Sequence, residues 1–513
     1  MSSLGLTTAV LLGISSHIFY FRIGENHMSG PWLAILVPLL WTSAVARRVG
    51  MMSLPAAVNT TTLELTAYGL RNHLVLEELH EKYGDIVRIG PNEIAVFRAD
   101  GIPAIHGPGS KCTKASWYDL LQKDKSIHAT RKPELHQARR RIWDQGFGPK
   151  ALRNYQERVK SKVDLLAENI ARSKDRAVNY TELFAFFGLD VMGDTAFGEG
   201  FGMLESNKPH PVMDILRLGV NILGRLSPVP WLITLLSSLP GATPDFTRLE
   251  RFGAESVLKR AEMDRDESDI MSKLIAAARD PNDASKLNVH WVCGDALVMI
   301  VAGSVTVAAT LTFLFCHLAL LPQHAQTLRG ELANIDIADN RVLQPLPYLN
   351  ALINETLRLY PPVPTALLRQ TPPEGIPFGD RRVPGGVTVS TPLWSLGRLE
   401  SSYVRAKEFL PERWYAGSEL VRDQRGFAPF LSGAYGVILS RRTSSKYTNS
   451  ESGTHSCLGK QLALMELRLV AAKLVTAYEF GFAEGSGGAE VLDFKDSFTA
   501  VPGSLRLVFR ARG

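Results

Sequence analysis

The sequence predicts an α+β fold that is mainly α-helical, with small β-sheets, behind an N-terminal membrane anchor. Two long segments, residues 149–171 and 289–321, repeat apolar side chains at helical spacing. The strand-like patches are short and are bounded by glycine and proline. No G-x-G-x-x-G motif follows a strand, and strands do not alternate with helices as they do around a parallel sheet. Helices therefore dominate the predicted fold.

The N-terminal segment carries the membrane prediction. Residues 4–21 are almost uncharged, and a second apolar run, residues 31–46, ends at Arg47 and Arg48. A spanning helix needs about 20 apolar residues, with a lower limit near 17. A cleaved signal peptide would start with basic side chains, which the first residues lack. We therefore expect residues 1–50 to be an anchor, either one helix or a two-helix hairpin. Since Lys and Arg favour the cytosolic side, the chain after Arg48 is expected in the cytosol.

Composition excludes several classes of protein. The chain has 513 residues, of which 45% are hydrophobic and 21% charged, as is typical of globular proteins. Its four cysteines are too few for a disulfide scaffold, and none has the C-x-x-C spacing of a zinc knuckle. The net charge is +6, from 57 Lys and Arg against 51 Asp and Glu. This mild excess suits an anionic membrane surface or an acidic protein partner, and no nucleic-acid partner is predicted.

Residues 51–513 are predicted to form one large mixed domain. Residues 83–96 predict two short strands around a Gly-Pro-Asn turn. Residues 228–244 are rich in Pro and Leu and predict a break between helices. A second strand-like patch, residues 375–390, is interrupted by Pro and Gly. Residues 458–478 repeat Leu, Met and Val at the spacing of a final helix.

Glu355 and Arg358 lie three residues apart in a helical pattern, where the two side chains share one face. The E-x-x-R spacing alone says little, because residues 262–265 and 419–422 repeat it. Its surroundings make it informative. A Pro-Pro pair follows the helix directly, and a Phe-Leu-Pro-Glu-Arg-Trp segment containing Arg413 comes further along. Unpaired, any of these three charged side chains would be costly to bury.

Cys457 directly precedes the final predicted helix, and Gly459 follows two residues later. A thiolate at a helix N-terminus is stabilised by the helix dipole and the free N–H groups. The glycine leaves room for a flat cofactor to lie close to the backbone. A lone cysteine at such a position is more often a buried core residue. The order of the E-x-x-R helix, the Pro-Glu-Arg-Trp segment and this cysteine favours a ligand instead.

Together these motifs resemble the cytochrome P-450 family over nearly the whole chain, and in particular its membrane-bound fungal members of secondary metabolism. The resemblance implies heme b (iron protoporphyrin IX) with Cys457 as the axial ligand of the iron, and a charge network of Glu355, Arg358 and Arg413. It implies a monooxygenase that inserts one oxygen atom into an apolar small molecule. Electrons would come from an NADPH-dependent flavoprotein reductase, at the endoplasmic reticulum membrane, with the catalytic domain in the cytosol.

The resemblance also assigns cations to the heme propionates. His136 and Arg140 match the family helix in which a Trp or His and an Arg four residues on meet a propionate, although consecutive arginines are otherwise typical of a solvated face. Arg369, just after the E-x-x-R helix, is a second candidate. Phe430 and Gly433 begin the family's Phe-x-x-Gly-x-Arg-x-Cys-x-Gly motif, which Cys457 and Gly459 complete.

The central predicted helix departs from the family pattern at one position. Residues 302–306 read Ala-Gly-Ser-Val-Thr, where the family has Ala-Gly-x-acid-Thr. By the resemblance, Gly303 leaves space for dioxygen and Thr306 hydrogen-bonds it, while the acid relays protons. Here Val305 stands in place of the acid, and a valine side chain cannot relay a proton. Water or a substrate hydroxyl would replace it, turnover would be poorly coupled, or the reaction would need no proton delivery. The last option keeps open a heme-thiolate isomerase or dehydratase that does not need O₂.

A second departure lies inside the cysteine motif. Residues 437–456 are an extra polar segment between its two halves, and Tyr435 stands where an Arg or His usually meets a propionate. We hypothesise an in-frame retained intron, which transcripts spliced at both ends would support and uniform retention would contradict. The lost packing could then leave an inactive, heme-deficient chain. Substrate recognition is expected near four mostly apolar segments: residues 115–121, 216–236, 298–306 and 364–368.

Overall fold

The computed structural model describes residues 69–90, 92–120, 126–227, 244–263, 269–280, 282, 288–365, 367–379, 381–416, 418–431 and 456–512. The predicted anchor over residues 1–50 lies outside these ranges, so the domain division stays a prediction. Gly433, Tyr435 and the extra segment up to residue 455 also lie outside them, as does most of the predicted break at 228–244.

Helices make up most of the described chain, as predicted. Their bounds are α1 Asn72–Tyr83, α2 Gly101–His106, α3 Pro133–Gly146, α4 Pro149–Arg172, α5 Tyr180–Phe197, α6 Met203–Ser206, α7 Val212–Leu226, α8 Pro244–Glu262, α9 Ile270–Arg279, α10 Val289–Leu320, α11 Pro322–Leu332, α12 Asn340–Leu343, α13 Pro347–Leu359, α14 Leu393–Leu396, α15 Lys460–Ala477 and α16 Ala489–Leu492. Short 3₁₀ turns cover Ser116–Leu120, Pro411–Trp414, Ser418–Leu420 and Gln424–Gly426.

The strands are short and form four small sheets. Their bounds are β1 Ile86–Gly90, β2 Glu93–Val96, β3 Thr113–Lys114, β4 Val178–Asn179, β5 Arg369–Gln370, β6 Ile376–Phe378, β7 Arg381–Val383, β8 Thr388–Ser390, β9 Tyr478–Phe482, β10 Lys495–Ser497, β11 Thr499–Val501 and β12 Arg506–Ala511. The largest sheet has the order β1-β2-β8-β5-β3, and the others are β4-β12-β9, β6-β7 and β10-β11. This is the α+β architecture that the sequence predicts.

Helix α10 is the core of the molecule. It starts where the Asn288 side chain accepts the backbone N–H groups of His290 and Trp291, which satisfies two of the free donors of its first turn. With a mean hydropathy of 2.2, it is the one helix in the described ranges that is long and apolar enough to cross a membrane. Most of that apolar stretch is buried inside the protein, which is the behaviour of a core helix.

Two pairings in the largest sheet position the site. Strands β2 and β8 run parallel, so the N-terminal hairpin β1-β2 joins the chain that follows α13. Strands β3 and β5 are antiparallel, and Lys114 lies opposite Arg369 in their register. Two cations far apart in sequence are thereby placed side by side at the edge of one sheet.

Candidate functional site

The two ends of the predicted cysteine motif meet in the structure. Cys457 lies three residues before α15, and its backbone N–H donates to the carbonyl oxygen of Phe430 at 3.0 Å. The extra segment between these residues therefore does not separate them. Gly459 precedes α15 at its N-cap, and a Cβ added there would meet no atom within 4 Å. Open space beside the cysteine turn fits a flat group lying against the backbone.

Helix α3 contributes a cation to the cysteine turn. Arg140 Nη1 donates to the carbonyl oxygen of Ser456 at 2.7 Å, and its Nε donates to Asp144 at 2.9 Å. His136 lies one helical turn earlier and is buried. The predicted pair of His136 and Arg140 thus lies on the helix that borders Cys457.

The surroundings of the Cys457 thiol are mixed. Burial raises its pKa, while the N–H groups of Gly459 and Lys460 and the positive charges of Arg140 and Lys460 act in the opposite direction. The residue nevertheless exposes surface. A side chain that faces an enclosed space within the fold would show both properties, a pKa raised by burial and an exposed surface. N–H donors and cations aimed at a sulfur favour its thiolate form, which is the form that binds metals.

The middle of helix α10 borders open space. Ala302 is exposed and Thr306 is partly exposed, although the residues on either side along the helix are mostly buried. Thr306 Oγ1 donates to the carbonyl oxygen of Ala302 at 2.6 Å, one turn back on the same face. Gly303 points elsewhere, since a Cβ added there would lie 2.2 Å from the Met192 Sδ on α5. The structure gives Gly303 a helix-packing role, and its predicted contact with dioxygen stays a prediction.

Buried cations gather at the β3-β5 edge. Lys114 Nζ donates to the carbonyl oxygens of Ile127 and His128, at 2.8 Å and 2.7 Å. Arg369 is buried beside it, donates to the Leu368 carbonyl oxygen at 3.0 Å and lies 3.5 Å from the Tyr118 hydroxyl. Burial lowers the pKa of Lys114 well below its usual value, and the charge of Arg369 adds to this effect.

This cation cluster fits the carboxylates of a heme. Within the described ranges, no carboxylate forms an ion pair with Lys114 or Arg369. Asp295 attracts Lys114 without forming an ion pair with it, and burying two cations side by side with no directly paired anion is unfavourable. A pair of propionates would balance them. Burial and the charges of Lys114 and Arg369 also lower the pKa of His128 to about 3, so this imidazole adds no further positive charge at neutral pH.

Glu355 lies at the centre of the predicted charge network. Its two oxygens accept from Arg358 Nε and Nη2 at 2.8 Å and 2.7 Å, and from Arg413 Nε at 3.0 Å. All three side chains are completely buried. The Leu410 backbone N–H and Trp414 Nε1 also donate to this carboxylate, at 2.8 Å and 2.9 Å. Sequence analysis predicted the three charged residues, but not the role of Trp414, which stands inside the quoted Pro-Glu-Arg-Trp segment.

The two guanidinium groups continue the network into the backbone. Arg358 donates to the carbonyl oxygens of Ala406 and Glu408 at 2.6 Å and 2.9 Å. Arg413 donates to those of Val404 and Leu420 at 3.0 Å and 3.1 Å. The network therefore ties α13 to the segment that leads towards Phe430. It acts as structural support for the cysteine side of the site.

A mainly helical fold that supports one cysteine at a helix start, beside open space and buried cations, defines a heme-thiolate protein. The family model for Cytochrome P-450 matches residues 53–508, and the chain belongs to this family. Membership makes it an oxidoreductase with a thiolate-ligated heme, as the sequence predicted.

Curated relatives are fungal enzymes of the same family. Tryprostatin B 6-hydroxylase from Aspergillus fumigatus is 33% identical over 551 residues, covering 97% of this chain and 94% of the relative. Cytochrome P-450 monooxygenase sthD from Phaeosphaeria nodorum is 37% identical and covers 86% of this chain and 90% of its own. Both carry monooxygenase or hydroxylase names, in agreement with the enzyme class predicted from the sequence.

A solved structure supports the fold independently. The retinoic acid bound cyanobacterial CYP120A1 superposes with a TM-score of 0.70, covering 87% of this chain and 96% of that one. Its sequence identity is 20%, so the likeness concerns the fold alone.

Proposed function

We propose that the protein is a monooxygenase that inserts one oxygen atom from O₂ into an apolar small molecule, a secondary-metabolite intermediate. The observation that carries this proposal is the position of Cys457, which lies three residues before α15, donates its N–H to Phe430 and has an exposed side chain. When bound, the heme supplies oxygen activation, and thiolate ligation favours O–O cleavage. The fungal relatives named as monooxygenases and hydroxylases support the reaction class.

The residues divide the work as follows in this proposal. Cys457 holds the iron. Arg140, with His136 on the same helix, and Lys114 with Arg369 at the β3-β5 edge neutralise the propionates. Thr306 keeps a hydroxyl at the open face of α10, where it holds a proton on Oγ1 towards the Ala302 carbonyl oxygen. Val305 carries no proton, so water or a substrate hydroxyl must complete the path to Thr306.

The cysteine is tested by a pair of matched variants. Cys457→Ser in the full chain should abolish the thiolate-type Soret band of the reduced, carbon monoxide-bound protein. Cys293→Ser, a half-buried thiol on α10, should retain the band. A thiolate band that survives Cys457→Ser would overturn the assignment.

The electron source and membrane association belong to the same proposal. We infer that an NADPH-dependent reductase delivers electrons and that residues 1–50 anchor the chain in the endoplasmic reticulum membrane, with the catalytic domain in the cytosol. Reduction of the heme by NADPH and a fungal reductase, followed by carbon monoxide binding, tests the first inference. Carbonate extraction of the full chain beside a version starting at residue 51 tests the second. Release of both versions from membranes would contradict anchoring.

Val305 favours a second candidate function, an isomerase or dehydratase that uses the heme without external electrons. Such an enzyme needs no proton delivery to dioxygen, so its reaction does not require an acid at position 305. The two candidates differ in one measurable requirement. Turnover of an identified substrate that persists without NADPH and under argon would favour the second candidate. Incorporation of ¹⁸O from ¹⁸O₂ into the product would exclude it.

A further inference from the structure

We propose that Asp295 is a positioning residue that fastens residues 126–130 to the central helix α10 and thereby keeps the cation wall of the heme site in place. The expected effect of these contacts is slow heme loss, and in this respect the inference rests on the proposed function. The contacts that carry it are those of the protein alone.

One carboxyl group joins three separate parts of the chain. Asp295 is completely buried on α10. Its Oδ1 accepts the backbone N–H of Ile127 at 2.7 Å, and its Oδ2 accepts Nε1–H of Trp143 on α3 at 3.2 Å. Each oxygen thus receives a donor from a different segment. A buried carboxyl satisfied in this way fixes the relative positions of the segments that supply the donors.

The segment that Asp295 holds, residues 126–130, also binds the ammonium group of Lys114. Ile127 donates its N–H to Asp295, and its own carbonyl oxygen accepts from Lys114 Nζ, as does that of His128. Lys114 in turn lies opposite Arg369 in the sheet. A chain of contacts therefore runs from α10 through the backbone of residues 127 and 128 to Lys114, and across the sheet to Arg369, the second propionate candidate.

The same face of α10 borders the open space. At 100° per residue, Ala302 and Thr306 each fall within about 20° of Asp295 around the helix, one on either side of it. Ala302 is exposed and Thr306 is partly exposed on this stretch of the helix. Asp295 therefore closes the N-terminal end of the stripe that faces the site.

The positive charges around Asp295 stabilise its ionised form. Burial raises the pKa of Asp295 to about 7, and the N–H donors of Ile127 and Trp143 and the charges of Arg139 and Lys114 oppose that rise. The positive charges of Arg139 on α3 and Lys114 on β3 act on this carboxyl, and His128 and Arg369 lie around Lys114. Protonation near neutral pH removes negative charge from a cluster of cations and weakens both hydrogen bonds.

Asp295→Asn is the direct test. It replaces one carboxylate oxygen by an amide NH₂ group, which cannot accept a hydrogen bond from the N–H of Ile127 or Trp143. Asp190→Asn is the matched control: Asp190 is equally buried and accepts two backbone N–H groups, from Met203 and Leu204, away from the cation cluster. Trp143→Phe is a milder second variant that removes one donor only. Heme transfer to apomyoglobin measures retention, and amide hydrogen exchange measures the fastening of residues 126–130.

We expect Asp295→Asn to speed heme loss by about 10- to 100-fold, as for other residues that orient a metal site from behind. Trp143→Phe should speed it less, and Asp190→Asn by less than about twofold. Wild-type heme loss should accelerate below about pH 7, and this step should be missing in Asp295→Asn. Exchange at residues 126–130 should rise in Asp295→Asn and not in Asp190→Asn.

Two results would overturn the inference. One is equal heme loss from Asp295→Asn and Asp190→Asn. The other is unchanged exchange at residues 126–130, which is informative even in a chain without heme. Absence of a thiolate Soret band in the wild type would instead contradict the proposed function, so the two failures are distinguishable.

Discussion

Glu355 stabilises two buried guanidinium groups, those of Arg358 and Arg413, with one carboxylate. Burial alone would raise the pKa of Glu355, but the charges and hydrogen bonds of Arg358 and Arg413 hold it below its usual value. A carboxyl with a lowered pKa contributes stability above its unfolded pKa and loses it as the pH falls. The network should therefore persist at neutral pH and fail in acid.

Glu355→Gln should destabilise the protein by about 3–5 kcal/mol, because it leaves two buried cations without a balancing charge. Glu408→Gln is the control, since Glu408 is half exposed and pairs with Arg405 on the surface. Its loss should change stability little, because solvent-exposed ion pairs contribute little to folding. Urea unfolding of both variants at pH 7 measures the difference. Equal midpoints for the two variants would show that the network is not structural.

Glu466 on α15 presents the opposite case. Its side chain is buried, and Oε2 has no hydrogen-bond partner among the described residues. Burial raises its pKa well above the usual value, which favours the protonated carboxyl in the folded protein. Because the unfolded state ionises this group above about pH 4.3, stability falls as the pH rises beyond that point.

Glu466→Gln should remove this pH dependence. The wild type should lose more stability than the variant between pH 5 and pH 8, by up to about 1.4 kcal/mol per pH unit until the folded group ionises. Glu479→Gln, which changes an exposed residue on β9, should follow the wild type. Parallel stability curves for the wild type and Glu466→Gln would show that the carboxyl is already ionised in the folded protein.

Local motifs made some of these residues predictable from the sequence. Glu355 and Arg358 belong to one helical turn, and Arg413 to a recognisable segment. Lys114 gave no such signal, because its position opposite Arg369 depends on the register of strands far apart in the chain. Asp295 was equally hidden, since its partners come from two other segments.

At the scale of elements, the close crossing of α5 and α10 depends on a glycine. A Cβ at Gly188 would lie 2.7 Å from the backbone oxygen of Ser304 on α10. Both atoms belong to helix backbones that cannot shift easily, so the two helices would have to separate. This crossing supports the stretch of α10 that carries Thr306.

Gly188→Ala should destabilise the protein by about 1–3 kcal/mol through overpacking. Gly330→Ala makes the same change in the interior of α11, where a Cβ would meet nothing within 4 Å. Higher helix propensity should make that variant more stable by about 0.5–1 kcal/mol. Thermal unfolding should move in opposite directions for the two. A stabilised Gly188→Ala would show that the helices are not in close contact.

Periodicity located the long helices well and the strands less well. The predicted helix over residues 289–321 is observed at Val289–Leu320, and that over residues 458–478 at Lys460–Ala477. Residues 375–390, expected as one strand-like patch, instead form the β6-β7 hairpin and strand β8, which joins a different sheet. Helical spacing is a local property, whereas membership of a sheet depends on partners elsewhere in the chain.

At the scale of the whole molecule, the main question is whether the extra segment, residues 437–456, disrupts the heme site. A longer loop costs little in closure entropy, because that cost rises only with the logarithm of its length. The larger concern was that the cysteine turn would lose its packing. Cys457 nevertheless donates to Phe430 with the segment present, and Ser456, the last residue of that segment, accepts from Arg140.

The central claim is that this chain, as it stands, holds heme through Cys457. It is tested most directly by the reduced, carbon monoxide-bound difference spectrum of the full chain, recorded beside a version lacking residues 437–456. Because the turn closes in the full chain, a thiolate-type Soret band is expected from both proteins. A band from the shortened version alone would contradict the account and identify the full chain as a heme-deficient product.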